Sequence, residues 1–195
     1  MGYRSKQRGN RAGAIKAGAV VFAAEKSFII DVYVNNAGCR VYPSTARFEV
    51  RDNAYAQRVQ DSFAMQGAMT TLGAALGRVA PGEVEILLDW APGLTQQHGF
   101  LHAGMVATAL DSACGYAGFT LMPPDAGVLT IEFKINLLAP AKGQRFRMVG
   151  QVVKPGRTVT VTEGRAYAIE GGREKLIATM GATLMTITGR DDVKN

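Results

Sequence analysis

The sequence predicts an α+β domain in which an antiparallel sheet wraps around one long central helix. Three observations predict this fold. The segment Ala103 to Leu121 is long enough for a helix and too apolar for a helix that is exposed on all sides. Three tight-turn signals, Pro81-Gly82, Pro155-Gly156 and Gly171-Gly172, divide most of the remaining chain into paired strands. The segment GVLTIEFKINLL, residues 127–138, alternates apolar and polar side chains as a strand does.

The predicted elements follow one another as a short helix, a hairpin, the long helix and four strands. Tyr55, Val59 and Phe63 recur every four residues and predict an amphipathic helix over 53–66. The segments MTTLGAALGRV and EVEILLDW flank Pro81-Gly82 and are predicted to be the two strands of the hairpin. A Pro-Gly pair at this point suits a type II turn, in which glycine takes the position with positive φ.

The strand predicted after the long helix has the clearest pattern in the chain. Because successive side chains of a strand point to opposite faces, strict alternation separates its residues into two sets. The apolar face is predicted to hold Leu129, Ile131, Phe133, Ile135 and Leu137. The opposite face is predicted to hold Thr130, Glu132, Lys134 and Asn136.

The positive charge of the chain is concentrated in its first quarter. The whole sequence carries a formal charge of +6, and residues 1–50 hold 8 of its lysines and arginines against 3 acidic residues. We therefore predict a basic extension over 1–50, poorly ordered or outside the functional unit, and a functional domain over 51–195. A chain that starts near Arg51 is expected to keep its fold and activity. A secretory signal or a nucleic-acid-binding arm is less favoured, because the apolar run of residues 17–24 is short and aromatic residues do not interleave with the charges.

Composition argues against several classes of protein. No apolar run approaches the ~18 residues that cross a bilayer, so no membrane partner is expected. Cys39 and Cys114 are the only cysteines and form no C-x-x-C motif, which disfavours a disulfide framework or a redox centre. The sequence lacks a G-x-S-x-G motif, which disfavours a serine hydrolase. His98 and His102 lie in a glycine-containing turn without the H-E-x-x-H glutamate, so no metal is expected.

The long predicted helix contains one carboxylate, Asp111, in an otherwise apolar stretch. A carboxylate in such surroundings is costly to bury unless it is paired, protonated or water-facing. Small residues share its predicted helix face and would let a ligand approach: Gly104, Ala107, Thr108, Cys114, Gly115 and Gly118. Two interpretations stay open. Asp111 acts as a base or nucleophile, or it only accepts hydrogen bonds from a neighbouring segment.

The start of the same helix supplies a second chemical element. Backbone N–H groups at a helix N-terminus lack intrahelical partners and carry partial positive charge. Such groups can polarise a carbonyl and stabilise the oxyanion that forms during acyl transfer. The predicted helix therefore combines two chemical elements. Its first N–H groups are candidate donors to a carbonyl oxygen, and Asp111 is a candidate base.

The string His102-Ala103-Gly104, followed after six residues by Asp111, resembles the H-G-G-x(6)-D signature of hotdog-fold acyl-CoA thioesterases of the phenylacetyl-CoA (PaaI-like) type. The resemblance extends over roughly 54–187 and includes GVLTIEFKINLLAPAKGQ and KPGRTVTV. It implies a cytoplasmic enzyme that hydrolyses an acyl-CoA to a carboxylic acid and coenzyme A without a metal or another cofactor. It also implies homodimers, alone or as dimers of dimers, with active sites at the dimer interface and no nucleic-acid partner.

The resemblance implies a catalytic role for four residues. Asp111 would be the general base or nucleophile that drives water against the thioester, and the N–H of Ala103 would hold the carbonyl oxygen. Gln96 stands where relatives commonly have Asn and would position the carbonyl or the water. Thr130 stands where some relatives have Ser and would assist the water from the opposite subunit.

The resemblance also implies substrate contacts and leaves alternatives open. His102 and Gly104 would contact substrate at the turn, and Lys154 and Arg157 would contact the coenzyme A phosphates. Ala103 departs from the first glycine of the signature, and the Gln96 side chain is one methylene longer than Asn. One alternative is a hotdog-fold hydratase or dehydratase with His102 as base. Another is a non-catalytic module that binds acyl-CoA.

Overall fold

The computed structural model describes residues 20–22, 30–35 and 38–43 by their backbone, and residues 48–190 and 192 in full. The chain divides into two units, Met1–Thr45 and Ala46–Asn195. In the first unit, the antiparallel strands β1 (Val20–Phe22), β2 (Ile30–Asn35) and β3 (Gly38–Pro43) form a sheet in that order. These strands were not among the predicted elements, although Ile30, Val32 and Val34 alternate with Asp31, Tyr33 and Asn35 as in a strand.

The second unit has the predicted α+β architecture, an antiparallel sheet packed against one long helix. Its six-stranded sheet has the order β4-β5-β7-β8-β9-β6, with every neighbouring pair antiparallel. The strands are β4 (Ala75–Ala80), β5 (Glu83–Asp89), β6 (Gly127–Leu137), β7 (Arg145–Lys154), β8 (Val159–Glu170) and β9 (Arg173–Ile187). The helices are α1 (Tyr55–Met65), α2 (Gly67–Leu72) and α3 (Ala103–Phe119), with a short 3-10 helix at Pro92–Leu94. The long predicted helix is therefore confirmed as α3, and the helix predicted over 53–66 as α1.

The first hairpin is shorter than the sequence predicts. The stretch MTTL, predicted as strand, belongs to α2, which ends at Gly73 in the left-handed conformation with φ 64°. Met69 and Leu72 are buried three residues apart on one side of this helix, and that spacing suits a helix rather than a strand. The turn at Pro81-Gly82 is confirmed, since Gly82 has the positive φ of 75° that a type II turn requires.

A β-bulge interrupts the alternation of β6. Thr130 lies opposite Leu184 and Glu132 opposite Thr183, so Ile131 is an extra residue in this strand. The bulge reverses the faces of the residues before it. The face toward α3 holds Thr130, Phe133, Ile135 and Leu137, and the outer face holds Leu129, Glu132, Lys134 and Asn136. The predicted faces are therefore wrong for Leu129 and Thr130.

Helix α3 lies very close to the sheet because glycines of β7 and β8 face it. A Cβ atom on Gly150 would lie 2.2 Å from the carbonyl oxygen of Ala113, and one on Gly164 would lie 2.8 Å from Sγ of Cys114. Ten residues of α3 are buried, most of them against this sheet. Among the described residues, neither α3 nor any other helix is long and apolar enough to span a membrane.

Arg58 of α1 forms hydrogen bonds to backbone carbonyl groups at the C-terminal end of α3. Its guanidinium donates hydrogen bonds to the carbonyl oxygens of Phe119, at 3.1 Å, and Met122, at 2.9 Å. The guanidinium also lies 4.2 Å from the centre of the Phe119 ring and pairs with Asp52 at 3.1 Å. These contacts satisfy carbonyl groups that have no partner within a helix C-terminus. They fix α1 beside the C-terminal half of α3.

Candidate active site

Of the cavities that border α3, two contain candidate catalytic residues, one at the middle of the helix and one at its start. The first, which we call the carboxylate cavity, has a volume of about 260 Å³ and is lined by Asp111 and Thr130 among others. The second, which we call the helix-start cavity, has a volume of about 450 Å³ and is lined by Gln96 and Ala103 among others. The structure therefore places the four candidate catalytic residues in two pairs.

Asp111 is half-buried at the middle of α3, and its carboxylate accepts a hydrogen bond from Thr130. The Thr130 hydroxyl lies 2.9 Å from Oδ1 of Asp111. Burial raises the pKa of the Asp111 carboxyl above its ordinary value, because the charged form loses hydration, and the hydrogen bond from Thr130 lowers this pKa. A carboxylate with a raised pKa is a stronger base than a solvent-exposed aspartate.

Thr130 donates a hydrogen bond to Asp111 of its own chain, and its role toward the attacking water stays a prediction. The bulge at Ile131 explains this contact, because it turns Thr130 to the face of β6 that packs against α3. Bulges beside functional sites commonly redirect a side chain in this way. Strict alternation of the sequence would have placed this hydroxyl on the outer face.

The walls of the carboxylate cavity come from α3, from the end of α1 and from the start of β6. The α3 side contributes a stripe made of Asp111, Ser112, Gly115 and Tyr116. Ser112 donates a hydrogen bond to Oε1 of Gln66 at 3.2 Å, and the hydroxyl oxygens of Ser62 and Tyr116 lie 3.3 Å apart. Sequence reasoning missed Ser62, Gln66, Ser112 and Tyr116, because the two hydrogen bonds join positions 46 and 54 residues apart.

The start of α3 presents one unoccupied backbone donor. His102 caps the helix through Nδ1, which accepts a hydrogen bond from the N–H of Gly104 at 2.9 Å. The N–H groups of Met105 and Val106 bond to the carbonyl oxygen of His102. Within the described part of the chain, the N–H of Ala103 has no acceptor, and Ala103 is exposed. This N–H is therefore available to a ligand oxygen, as the sequence predicts for a helix N-terminus.

Gln96 lies in the loop that leads into α3, and its amide is oriented by that loop. Its Oε1 accepts a hydrogen bond from the backbone N–H of His98. Nε1 of Trp90 donates to the carbonyl oxygen of Gly99 at 3.1 Å and holds the same loop in place. With Oε1 engaged, the Nε2 group of Gln96 is the donor that remains for a ligand in the helix-start cavity.

The two pairs of residues lie far apart in one chain. A helix rises 1.5 Å per residue, so Ala103 and Asp111 are separated by about 12 Å along α3. Strand β6 spans the distance between the cavities. Its residues Val128 and Leu129 line the carboxylate cavity near its start, and Leu137 lines the helix-start cavity at its end.

The other predicted site residues lie outside both cavities. Lys154, at the end of β7, and Arg157, in the turn before β8, are exposed. Strand β7 is three strands away from β6 and β8 is two strands away, or about 14 and 10 Å. His98 is exposed at the surface of the loop before α3. In the described ranges no group of three or more His, Cys, Asp or Glu side chains is arranged to hold a metal ion.

The comparisons agree with this architecture. The chain matches the Thioesterase superfamily over residues 98–175. A thioesterase family protein from Silicibacter pomeroyi is 58% identical, with a TM-score of 0.69 over 69% of this chain and 99% of that chain. The PaaI protein from the phenylacetic acid degradation operon of E. coli is 16% identical with a TM-score of 0.62, over 71% and 97% of the two chains, and shares the fold.

A relative with lower sequence identity comes from Saccharolobus solfataricus and is named as an esterase. It is 33% identical over 96 residues, which are 49% of this chain and 63% of the relative. The chain thus spans slightly less than two thirds of that protein. The 58% identity over nearly the whole Silicibacter pomeroyi protein decides the family. This chain belongs to the thioesterase superfamily and has the hotdog fold.

Proposed function

We propose that the protein is an acyl-CoA thioesterase whose active site is assembled from two copies of the chain. The observation that carries the proposal is that β6 runs from the cavity of Asp111 to the cavity of Ala103. The reaction is hydrolysis of the thioester to a carboxylic acid and coenzyme A. Asp111 and Thr130 come from one subunit in this proposal, and Ala103 and Gln96 come from its partner.

One chain alone does not bring its two half-sites to the same carbonyl group. Oxyanion donors act at about 3 Å from the oxygen, and a base must reach the attacking water at a similar distance. The separation of about 12 Å between Ala103 and Asp111 along α3 exceeds the span of these contacts. If a second copy of the chain places its Ala103 beside Asp111 of the first copy, the donor and the base can act on the same carbonyl group.

The exposed edge of the sheet supplies the surface for such pairing. Strand β6 is an edge strand of 11 residues, and it exposes large apolar side chains. Ile131, Phe133 and Leu137 are 53%, 46% and 57% exposed. A long apolar edge pairs readily with another strand. Antiparallel pairing of two β6 strands about a two-fold axis would set the start of one beside the end of the other. Asp111 of one subunit would then approach Ala103 and Gln96 of the partner subunit.

The chemistry of this composite site is direct attack of water on the thioester. Oδ1 of Asp111 is held by Thr130, so Oδ2 is the oxygen that takes a proton from the attacking water. The tetrahedral oxyanion accepts hydrogen bonds from the N–H of the partner's Ala103 and from Nε2 of the partner's Gln96. Collapse of the intermediate breaks the C–S bond, and the proton on Asp111 passes to the departing thiolate. Lys154 and Arg157 are the proposed contacts for the phosphates of coenzyme A.

A thiol-release assay on a panel of acyl-CoA thioesters tests the proposal. Asp111→Asn is expected to lower kcat by two orders of magnitude or more, since it removes the base. Ala103→Pro deletes the proposed donor, and proline suits the first position of a helix. The preceding residue, His102, already has the extended backbone, with ψ 138°, that proline favours before it. We expect a loss of about 10²–10³ in kcat for this variant, whereas the matched control Ala103→Gly keeps the N–H and most of the activity.

Two outcomes would replace the proposal with an alternative. Tight binding of acyl-CoA without turnover of any thioester would identify a binding module. Hydration of an enoyl thioester that survives Asp111→Asn and is lost in His102→Ala would identify a hydratase. Full thioester hydrolysis by Asp111→Asn would remove Asp111 from the mechanism.

A further inference from the structure

We propose that Gly115 limits the size of the acyl group that the enzyme accepts. Because glycine has no side chain, position 115 leaves the carboxylate cavity open. The inference rests on the proposed function and deepens it. Gly115 lines the carboxylate cavity four residues after Asp111, one helical turn further into the protein.

The surroundings of Gly115 are unusual for a buried helical residue. Gly115 is buried, yet a Cβ atom built on it meets no atom within 4 Å. At Gly118, three residues later, an added Cβ would instead lie 2.4 Å from Leu184, so neighbouring atoms already fill the space there. A helical glycine costs about 1 kcal/mol relative to alanine, so packing does not require Gly115 to be glycine and helix propensity disfavours it. The space beside it belongs to the cavity.

The inner end of the carboxylate cavity is closed by a rigid floor. Tyr116 is 3% exposed and Ser62 is 6% exposed, and their hydroxyl oxygens lie 3.3 Å apart. The Tyr116 ring also packs against Phe63 and Phe119, with ring centres 6.0 and 6.3 Å apart. The contacts between these aromatic rings hold the floor in place.

The closed floor decides which arm of the thioester enters this cavity. A thioester carbonyl carries an acyl arm and a long pantetheine arm that must extend to the phosphates in solvent. A cavity that ends on buried side chains has no exit for the pantetheine arm. The acyl arm therefore lies along Gly115 toward Tyr116, with the carbonyl carbon near Asp111.

The volume of the cavity limits the acyl group. A protein cavity of about 150 Å³ accommodates benzene, so the 260 Å³ that one chain contributes corresponds to roughly ten carbon atoms of an acyl group. A side chain at position 115 would occupy part of this space. Its effect is expected first on the largest acyl groups that the wild type accepts.

The test compares the wild type with Gly115→Ala, Gly115→Val and Gly115→Leu on acetyl-, hexanoyl-, phenylacetyl- and palmitoyl-CoA. We expect the wild type to use the first three and to hydrolyse palmitoyl-CoA poorly. Gly115→Val should lower kcat/KM for phenylacetyl-CoA by about 10- to 200-fold, since each misplaced methylene in a pocket has an effect of this size. Acetyl-CoA should be affected less, so the ratio of kcat/KM for acetyl-CoA to that for phenylacetyl-CoA should rise at least tenfold in the same variant. Gly115→Ala should fold at least as stably as the wild type and show a smaller shift in the same direction.

Binding of non-hydrolysable thioether analogues gives a second readout that does not need turnover. Gly115→Val should weaken binding of the phenylethyl thioether of coenzyme A at least ten times more than binding of the ethyl thioether. If the wild type hydrolyses no acyl-CoA, the proposed function fails, and the analogue series still decides the role of Gly115. An unchanged preference between the small and large analogues in both Gly115→Ala and Gly115→Val would overturn the inference. Ala64→Val, on the exposed face of α1, is the matched control for added volume and should change neither readout.

Discussion

The hydroxyl of Thr130 donates a hydrogen bond to Oδ1 of Asp111 over 2.9 Å, and a bulge in β6 makes this contact possible. The extra residue, Ile131, turns Thr130 from the outer face of the sheet to the face that packs on α3. The pKa of Asp111 is the result of two opposing effects, burial that raises it and the Thr130 hydrogen bond that lowers it. The first prediction tests this balance.

Thr130→Val is expected to move the acid limb of the pH–rate profile to higher pH. The substitution removes the hydrogen bond that stabilises the carboxylate, so the pKa of Asp111 rises further above its ordinary value. A base works only when deprotonated, and the rate therefore falls off at a higher pH than in the wild type. The measurement is kcat/KM between pH 4 and pH 9. Thr183→Val removes a similar bond to Glu132, 3.0 Å long, on the outer face, and its profile should match the wild type.

Asp111→Asn is expected to stabilise the fold while abolishing hydrolysis. Because the folded-state pKa of Asp111 is raised, the folded protein binds the proton more tightly than the unfolded chain, and stability falls as pH rises from the ordinary value through the raised pKa. The neutral amide avoids this loss and can still accept from Thr130. We expect the thermal midpoint at pH 7 to rise by about 1–4 °C. The gain should shrink as the pH falls through the raised pKa; a gain that is independent of pH would contradict the assignment.

Gly150→Ala is expected to destabilise the protein by ~1–3 kcal/mol or more, because the new methyl group would lie 2.2 Å from a carbonyl oxygen of α3. Backbone atoms on both sides leave little room for adjustment. Urea unfolding measures the difference in free energy. Gly181→Ala in β9 is the control, since a Cβ there meets nothing within 4 Å, and it should be neutral or slightly stabilising. Equal effects of the two substitutions would show that α3 does not pack as described.

The extension before the hotdog domain is expected to be dispensable for hydrolysis. The chain divides after Thr45, and Phe48 packs against the core of the second unit beside Gly82. A chain that starts at Ala46 should keep its stability and activity. One that starts at Arg51 should stay active and lose ~1–2 kcal/mol of stability with the half-buried Phe48 ring. Loss of activity in the chain that starts at Ala46 would assign a function to the basic segment.

The local patterns of the sequence predicted most of the fold. The apolar stretch after His102 predicted α3, which ends at Phe119, two residues before the predicted end. The Pro-Gly and Gly-Gly turns predicted the hairpins, since each glycine turn has a strong local signal. The helix α2 was missed, because MTTL fits a strand by propensity and its helical state depends on burial of Met69 and Leu72.

The sequence identifies candidate residues of the site but does not predict how the fold positions them relative to one another. Asp111 is recognisable as the one carboxylate of an apolar helix, and the start of α3 is recognisable as a source of unpaired N–H groups. The side of β6 on which Thr130 lies depends on one extra residue, and no local signal marks Ile131 as that residue. The cavity walls depend on contacts between α1 and α3, which are tertiary. The distance between Ala103 and Asp111 follows from helix geometry alone and is the argument for the proposed site shared between subunits.

Complementation between two inactive variants tests the shared site most directly. Asp111→Asn and Ala103→Pro chains, co-expressed with different affinity tags, give mixed dimers that can be purified away from either parent. A shared site leaves one of the two sites in each mixed dimer with both functional residues intact. The mixed dimer should then hydrolyse an acyl-CoA at about half the wild-type rate, while each parent variant stays nearly inactive. Mixed dimers as inactive as the parents would place Asp111 and its oxyanion donor in one chain and contradict the shared site.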